Sequence, residues 1–343
     1  MGAARRPGLS SRRIEKLGLV ARLRQLGLAA ITLLLSGCGT VLSETLTVPV
    51  SLWPGYEFFP LARAKALDRR EGLRLDLPVF ANPQDIVLAY LRGDVQIAQL
   101  TTVEAVDLCN RVPKRCPVVV LVLDESRGGD QVVVNRSLAS IADLRGRPVA
   151  ITPSTLGPYV LSQALKRHGL SLMDVQLRPM PLESMAAALN KGTVDAAALF
   201  PPFSDQAMAG GRVQPLFTSR EIPGEIFDIL VVDPEVLETR RSALVRLLRA
   251  WQAAHDELRR QPETALAVMA RRQEISVEAF RASLEGLVFL SLKQQEPLFQ
   301  PSGLLERNLR NLREVQAQLG LLPDDGPLPP VDGSLIRAAL QPR

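Results

Sequence analysis

Residues 89–101 read AYLRGDVQIAQLT, and far downstream residues 188–200 read ALNKGTVDAAALF. Each stretch closes an apolar helical pattern on a basic residue and a glycine, then runs through a valine into a short apolar strand. The correspondence extends toward the N-terminus. Val48-Pro49-Val50 with Trp53-Pro54-Gly55 matches Val149-Ala150-Ile151 with Ser154-Thr155-Leu156, in each case a strand, a turn and a helix start. The second strands, 73–80 and 175–180, fall in step. The chain therefore predicts two β-α-β-α-β units, each building a small parallel sheet. Ligands on such sheets bind beyond the carboxyl ends of the strands, so two facing units place both sets of strand-end loops in one cleft. The alternative is chance similarity between two ordinary α/β segments, which leaves the shared order and spacing of three landmarks unexplained.

Outside the duplicated units, residues 118–124 and 131–135 are valine-rich runs of strand type. They flank Glu125-Ser126-Arg127-Gly128-Gly129-Asp130, whose glycine pair marks a turn or bend. Residues 226–232 return as a strand after the second unit and need a sheet to join. The chain is thus expected to leave the first lobe near 124–131 and re-enter it near 218–228, and two crossing strands make a hinge. Beyond Glu235 the pattern is helical only, over 239–260, 262–272, 277–290 and 304–319. Pro262 suits a first helical turn. The tail from Leu321, rich in Pro and Asp, reads as a loose or partly disordered strap. The expected fold is α/β and two-lobed, with two hinge strands and C-terminal helices. Its expected division is a leader 1–37, a tether 38–44, lobe I at 45–125 plus 226–320, lobe II at 126–225, and a tail 321–343.

At 343 residues with 46% hydrophobic residues, the chain is long enough for two lobes with a real core. Its net charge of +5 invites a nucleic-acid reading, but the charge is misplaced for one. Seven basic residues against one acid precede Cys38, so the rest of the chain holds 34 basic and 35 acidic residues, a net of −1. A nucleic-acid binder keeps its basic face in the folded domain. The basic leader is followed by a mostly apolar run, 26–35, too short to span a bilayer. It ends in Leu35-Ser36-Gly37-Cys38, which resembles a bacterial lipoprotein signal and implies cleavage before Cys38 and lipidation of that residue. The alternatives are a plain signal peptide with an incidental cysteine or an uncleaved anchor. Acyl chains would tether the mature protein to a membrane without a spanning helix.

Cys109 and Cys116 flank a short polar loop in LCNRVPKRCPVVV. Outside the cytoplasm disulfides persist, so a Cys109–Cys116 bridge and two buried thiols are both open. One close cysteine pair with only His168 and His255 in the chain cannot assemble a four-ligand zinc site, and no metal or cofactor is expected. Enzyme readings fare poorly as well. Both histidines lie in charged helical contexts expected to be solvated, no serine or cysteine pairs with either, and no phosphate-binding glycine loop is present.

Taken together, LSGC, the turn Trp53-Pro54-Gly55-Tyr56-Glu57, LRGDVQIAQLTTVEA, DESRGGDQVVV, SIADLRGRPVAITPSTLGPYVL, LNKGTVDAAALFPPF and EIFDILVVD resemble the periplasmic solute-binding lipoproteins of ABC importers. The group is the one that includes nitrate-, sulfonate-, taurine- and thiamine-pyrimidine-binding proteins. The resemblance covers essentially all of the mature chain; its order and spacing are specific for the family, not for one ligand. It implies two α/β lobes that close on a small solute of the sulfonate, taurine-like or nitrogen-heterocycle class and deliver it to an inner-membrane permease, with a lipid-anchored periplasmic location and a monomeric state. The alternative is a sensor whose closure signals to a membrane partner. One enzyme of this fold, the yeast-type pyrimidine synthase, depends on a histidine-rich site that His168 and His255 cannot supply.

Strand-end loops supply the candidate ligand contacts. Trp53, Tyr56 and Glu57 follow the first strand, and Thr101 and Thr102 follow the third. Ser154, Thr155 and Phe200 are their counterparts in the second unit. Trp53 and Tyr56 offer flat faces with a polar tip, suited to a ring or an alkyl group, unless they fill a lobe core. Ser154-Thr155 opens a helix whose free N–H groups suit an anionic group, unless the helix caps itself; the same alternative applies to Thr101 and Thr102. The family analogy places Asp130 and Asp228, beside the hinge strands, near the cleft, where a carboxylate accepts from a ligand N–H. Solvent exposure or a hinge hydrogen bond is the alternative, and Glu57 is equally ambiguous. Two such carboxylates facing the ligand disfavour a simple anion such as nitrate and suit a zwitterion or a nitrogen heterocycle.

Overall fold

The structure is a computed structural model that describes residues 1–2, 43–323 and 325–342. The leader and Cys38 lie outside the described residues, and the unit Ser43–Arg343 carries the sheets and helices. Its strands in chain order are β1 (Glu44–Thr47), β2 (Leu73–Asp76), β3 (Ile97–Thr101), β4 (Val118–Ser126), β5 (Gln131–Asn135), β6 (Pro148–Ile151), β7 (Gln176–Pro179), β8 (Ala196–Leu199), β9 (Val213–Thr218), β10 (Phe227–Val232) and β11 (Leu287–Val288). They form a parallel pair β1-β2, a four-stranded sheet ordered β11-β4-β10-β3 and a five-stranded sheet ordered β7-β6-β8-β5-β9. The valine-rich β4 and the run FDILVV of β10 are buried along their whole length. Continuous apolar runs belong to strands covered on both faces.

In the second unit β6, β7 and β8 are mutually parallel, as the duplication predicts. The first unit departs from it: β3 pairs antiparallel with β10 and not with β1. Pro49, just after β1, lacks the N–H that a ladder would need. The Gln99 side-chain amide instead donates to the Pro49 carbonyl (2.9 Å), while Val48 and Val50 continue bonding toward β2's side (2.8 and 3.0 Å).

The chain passes between the two larger sheets twice, from β4 to β5 and from β9 to β10. The crossing segments are tied to each other. Ser126 Oγ and Ser219 Oγ share a hydrogen bond of 2.8 Å, Gly128 N donates to Ser219 Oγ (2.7 Å), and Ser219 N donates to the Asp130 carbonyl (2.8 Å). The helix expected over 277–290 ends at Leu284, and Leu287–Val288 is a strand on β4. Gly286 causes the break: its carbonyl accepts from Arg127 N and Gly129 N, and a Cβ on it would stand 2.7 Å from Gly129 N. Only a glycine allows that approach of two backbones.

The C-terminal helix Arg241–Arg260 packs on the helices Phe58–Ala64 and Ser334–Leu340. Arg241–Arg260 buries Ala243, Leu244, Leu247, Leu248, Trp251 and Ala254, spaced at three and four residues. Against expectation, His255 is buried on this face, with its ring stacked 5.6 Å from Trp251; burial pushes its pKa down. His168 is exposed. The tail is likewise more than a loose strap. Val331 bridges Val119, and the helix Ser334–Leu340 buries Leu335 and Ile336. Further along the same edge of β4, the Gln295 side chain bonds both the N–H and the carbonyl of Val122 (2.8 and 3.2 Å). Tail, glutamine and β11 thus cover an edge that would otherwise expose unpaired backbone groups. Cys109 and Cys116 are joined by a disulfide at the end of the helix Thr102–Arg111.

Candidate functional site

Register sets out the floor of the cleft. Asp228 on β10 lies opposite Thr101 on β3 and opposite Asp124 on β4, so a hydroxyl and two carboxyls form a row across three strands. Like charges placed directly opposite repel, and here aromatic donors offset part of that. Trp53 Nε1 donates to Asp124 Oδ2 (3.1 Å), and Tyr56 Oη donates to Asp228 Oδ1 (2.6 Å). Gly55 allows this turn to sit so close, because a Cβ there would overlap the Asp124 carboxylate. Thr101 caps the next helix in a reciprocal box, accepting from Glu104 N (3.2 Å) while Glu104 Oε2 accepts from Thr101 N (3.0 Å).

Above this floor is a cavity of about 230 Å³. Trp53, Tyr56, Thr101, Glu104 and Asp228 line it from one side, together with the loop Asn82–Asp85 and Leu88. Asp130, Thr152, Ser154, Leu156, Leu182 and Phe200 line it from the other. Trp53 and Phe200 meet across the cleft edge to face, their centroids 5.5 Å apart and their planes at 79°. Among the described residues, the ionisable side chains of the lining are Tyr56, Asp85, Glu104, Asp130 and Asp228, without a lysine, arginine or histidine. Burial holds Glu104 and Asp228 above the ordinary carboxylate range, and burial pushes Asp130 up to about 6 against the pull of its Ser126 hydrogen bond. Asp124, beneath the cavity, is raised for the same reason, with Trp53 pulling the other way. Tyr56 is held protonated, first by burial and then by the Asp228 charge.

Seven of the ten candidate contacts meet here: Trp53, Tyr56, Thr101, Asp130, Ser154, Phe200 and Asp228. Three do not. Glu57 turns away into a buried ion pair, accepting from Arg272 Nε (2.7 Å) and Nη2 and from Gln273 Nε2 (2.9 Å). Burial still raises its pKa, with Arg272 opposing. Thr102 is fully buried, its Oγ1 accepting from Phe227 N (3.3 Å), because it has already entered the helix that Thr101 caps. Thr155 lies at the start of the helix Leu156–Lys166 with αR backbone and makes no capping bond; Ser154 bonds Thr152 instead (2.8 Å).

The loops after the second strands of both units join the site without having been expected there. Asn82–Asp85 and Pro181–Leu182 reach the cavity because every parallel strand of a unit ends on the same side. Asn82-Pro83 ahead of a helix is a start signal that marks the first of these loops. Glu104 is readable from Thr101-x-x-Glu104.

Two α/β lobes joined by two crossings, with a cavity between them at the strand ends, define the periplasmic-binding-protein fold. The family model described as the NMT1-like family matches residues 50–272, and the chain belongs to that family. It is 24% identical over 239 residues to the taurine-binding periplasmic protein of Escherichia coli strain K12, covering 66% of this chain and 72% of the relative. Among solved structures it is similar to the periplasmic aliphatic sulphonate binding protein SsuA of Escherichia coli, with a TM-score of 0.68 at 17% identity over 82% of this chain and 95% of the other. It is also similar in fold to the desulfurization enzyme DSZB, with a TM-score of 0.62 at 16% identity over 87% and 99%.

Proposed function

We propose that this protein is the solute receptor of an ABC importer, working in the periplasm as a lipid-anchored monomer. Lobe I (45–125 with 226–320) and lobe II (126–225) close on one small molecule and present it to an inner-membrane permease. Support for the role comes from the relatives, which are named as binding proteins for taurine and for aliphatic sulfonates. Their descriptions offer nothing for the sensory alternative. The DSZB likeness extends to fold alone at 16% identity, and among the described residues this cavity is lined by neither cysteine nor histidine. We therefore read it as a binding site rather than a catalytic one.

The acidic lining carries the choice of ligand. Glu104, Asp130 and Asp228 face the space together, and carboxyls without a cationic partner accept from N–H donors or an ammonium while disfavouring a plain anion. Trp53 and Phe200 supply aromatic faces and Leu88, Leu156 and Leu182 aliphatic ones, so a compact ring or short alkyl chain fills the middle. Ser154 and Asn82 lie next to the helix starts Leu156 and Pro83, where N–H groups suit an anionic end if the ligand has one. A taurine-like zwitterion and an aminated nitrogen heterocycle both meet these demands; nitrate and unaminated alkanesulfonates do not. Calorimetry with taurine, 4-aminopyrimidine, ethanesulfonate and nitrate tests this: heat from either nitrogen donor and none from the other two is expected. Tight binding of ethanesulfonate alone overturns the ligand class. The anchor is tested separately, since Cys38→Ser is expected to release the protein from membranes.

A further inference from the structure

The row Thr101–Asp228–Asp124 contains more acid than its donors can satisfy as anions. Trp53 and Tyr56 each supply one donor, to Asp124 and Asp228 respectively. Among the described residues, no nitrogen or hydroxyl donor reaches Asp124 Oδ1, which is buried. The neighbouring acid, directly opposite Asp124 on the paired strand, is Asp228. The surroundings are acidic as well. Asp130 faces both acids from the first crossing, Glu125 faces Asp124 from β4, where Arg127 binds it at 2.7 Å, and Glu104, on the helix after β3, faces Tyr56 and Asp130. Tyr56 stays protonated and adds no positive charge.

We propose that Asp124 and Asp228 share a single proton, that this proton is released when a ligand ammonium docks on Asp228, and that solute capture is thereby coupled to proton release. This rests on the solute-receptor reading above. Two adjacent buried carboxyls cannot both ionise without a countercharge, so the empty cavity keeps the proton on Asp228, donated to Asp124. An arriving ammonium supplies that countercharge and takes over the proton's role, and the proton leaves to solvent with no bond made or broken on the ligand. Asp124, which does not line the cavity, is then a positioning residue. It sets the charge state of Asp228 and holds the indole of Trp53 against Phe200. Burial raises both carboxyls above their ordinary range, consistent with a proton retained near neutrality.

The chain has two tryptophans, which makes the proton visible without any ligand. In 15N-labelled full-length protein the Trp53 indole N–H resonance is expected to shift with a midpoint well above the ordinary carboxylate value of about 4. The Trp251 indole stacks on His255, so any shift it shows follows that ring and is expected to be the same in the aspartate variants. Asp124→Asn should abolish the Trp53 shift, and Asp228→Asn should move its midpoint down, since Asp124 then titrates without its acidic partner. A flat Trp53 resonance, or an unchanged shift in Asp228→Asn, overturns the proposal. Should those variants fail to fold, the 13C carboxyl resonances of the unaltered protein decide: two widely separated steps support a shared proton, and one common step in the ordinary range refutes it. With taurine as the probe, affinity should rise by up to about tenfold per pH unit below the pair's upper midpoint and be nearly flat in Asp124→Asn; 4-aminopyrimidine, whose amino N–H is neutral, should lack that slope. Binding of taurine with no pH dependence sinks the coupling and leaves the receptor role standing. No binding of either probe refutes the ligand class instead, and the Trp53 titration still decides the shared proton.

Discussion

One short turn, Trp53–Glu57, feeds two buried acidic regions that are wired in opposite ways. Glu57 meets a guanidinium and an amide, Arg272 and Gln273. Asp124 and Asp228 meet an indole, a phenol and each other. A buried carboxylate with a fixed cation is electrically complete and has little left for a ligand, whereas carboxyls held only by neutral donors keep an unmet demand for positive charge. The first region staples the turn to the helix Pro262–Arg272; the second lies at the floor of the cavity. Burial alone therefore separates neither role from the other. The partner does.

Removing one member of the complete pair should have the largest effect. Glu57→Ala leaves the Arg272 charge buried without its anion and is expected to cost about 3–5 kcal/mol of stability, read as a lower denaturation midpoint. Asp228→Asn removes a carboxyl that has no cation and is expected to leave stability unchanged or higher above neutral pH, while abolishing probe binding. Equal destabilisation by the two variants breaks the comparison. A smaller effect is pH-dependent. Asp130 is protonated in both folded and unfolded chains below about pH 4. Between there and about 6 the folded chain retains a proton that the unfolded chain has lost, so stability falls as pH rises through that window and stays lower above it. The full effect is up to about 3 kcal/mol. Asp130→Asn should remove this part of the slope; an identical slope in the variant would show that Asp130 titrates normally.

Much of this arrangement was legible in the sequence, for a physical reason. Two repeats of strand, turn and helix fix the direction of their strands, and strand direction decides which loops face the cleft, so Trp53, Thr101, Ser154 and Phe200 could be placed from spacing. Partner identity could not. Nothing near Glu57 announces Arg272, 215 residues away, and nothing near Asp124 marks it as more than the end of a valine strand. The tail misled through composition: prolines and aspartates read as linker, while the burial of Leu335 and Ile336 depends on a helix, Arg241–Arg260, far back in the chain. Gly286 misled through periodicity, since the apolar residues beyond it continue a helical spacing and only its contact with Gly129 requires the break.

The finest test separates the ring of Trp53 from its N–H. Trp53→Phe keeps an aromatic face toward Phe200 but deletes the donor to Asp124. If the indole served only as wall, the loss would be a modest change in packing, with ligand affinity and its pH dependence moving little. If the N–H belongs to the acid network, Asp124 loses its one neutral nitrogen donor and holds the shared proton more tightly, because nothing else stabilises its ionised form from that side. Probe binding should then weaken by about tenfold, or ~1.4 kcal/mol, and the pH at which affinity levels off should move upward. Cooperative melting should persist in either case, since the ring still fills most of the space. An affinity loss without any movement of the pH profile would reduce Trp53 to a wall and leave the proton to the two aspartates alone.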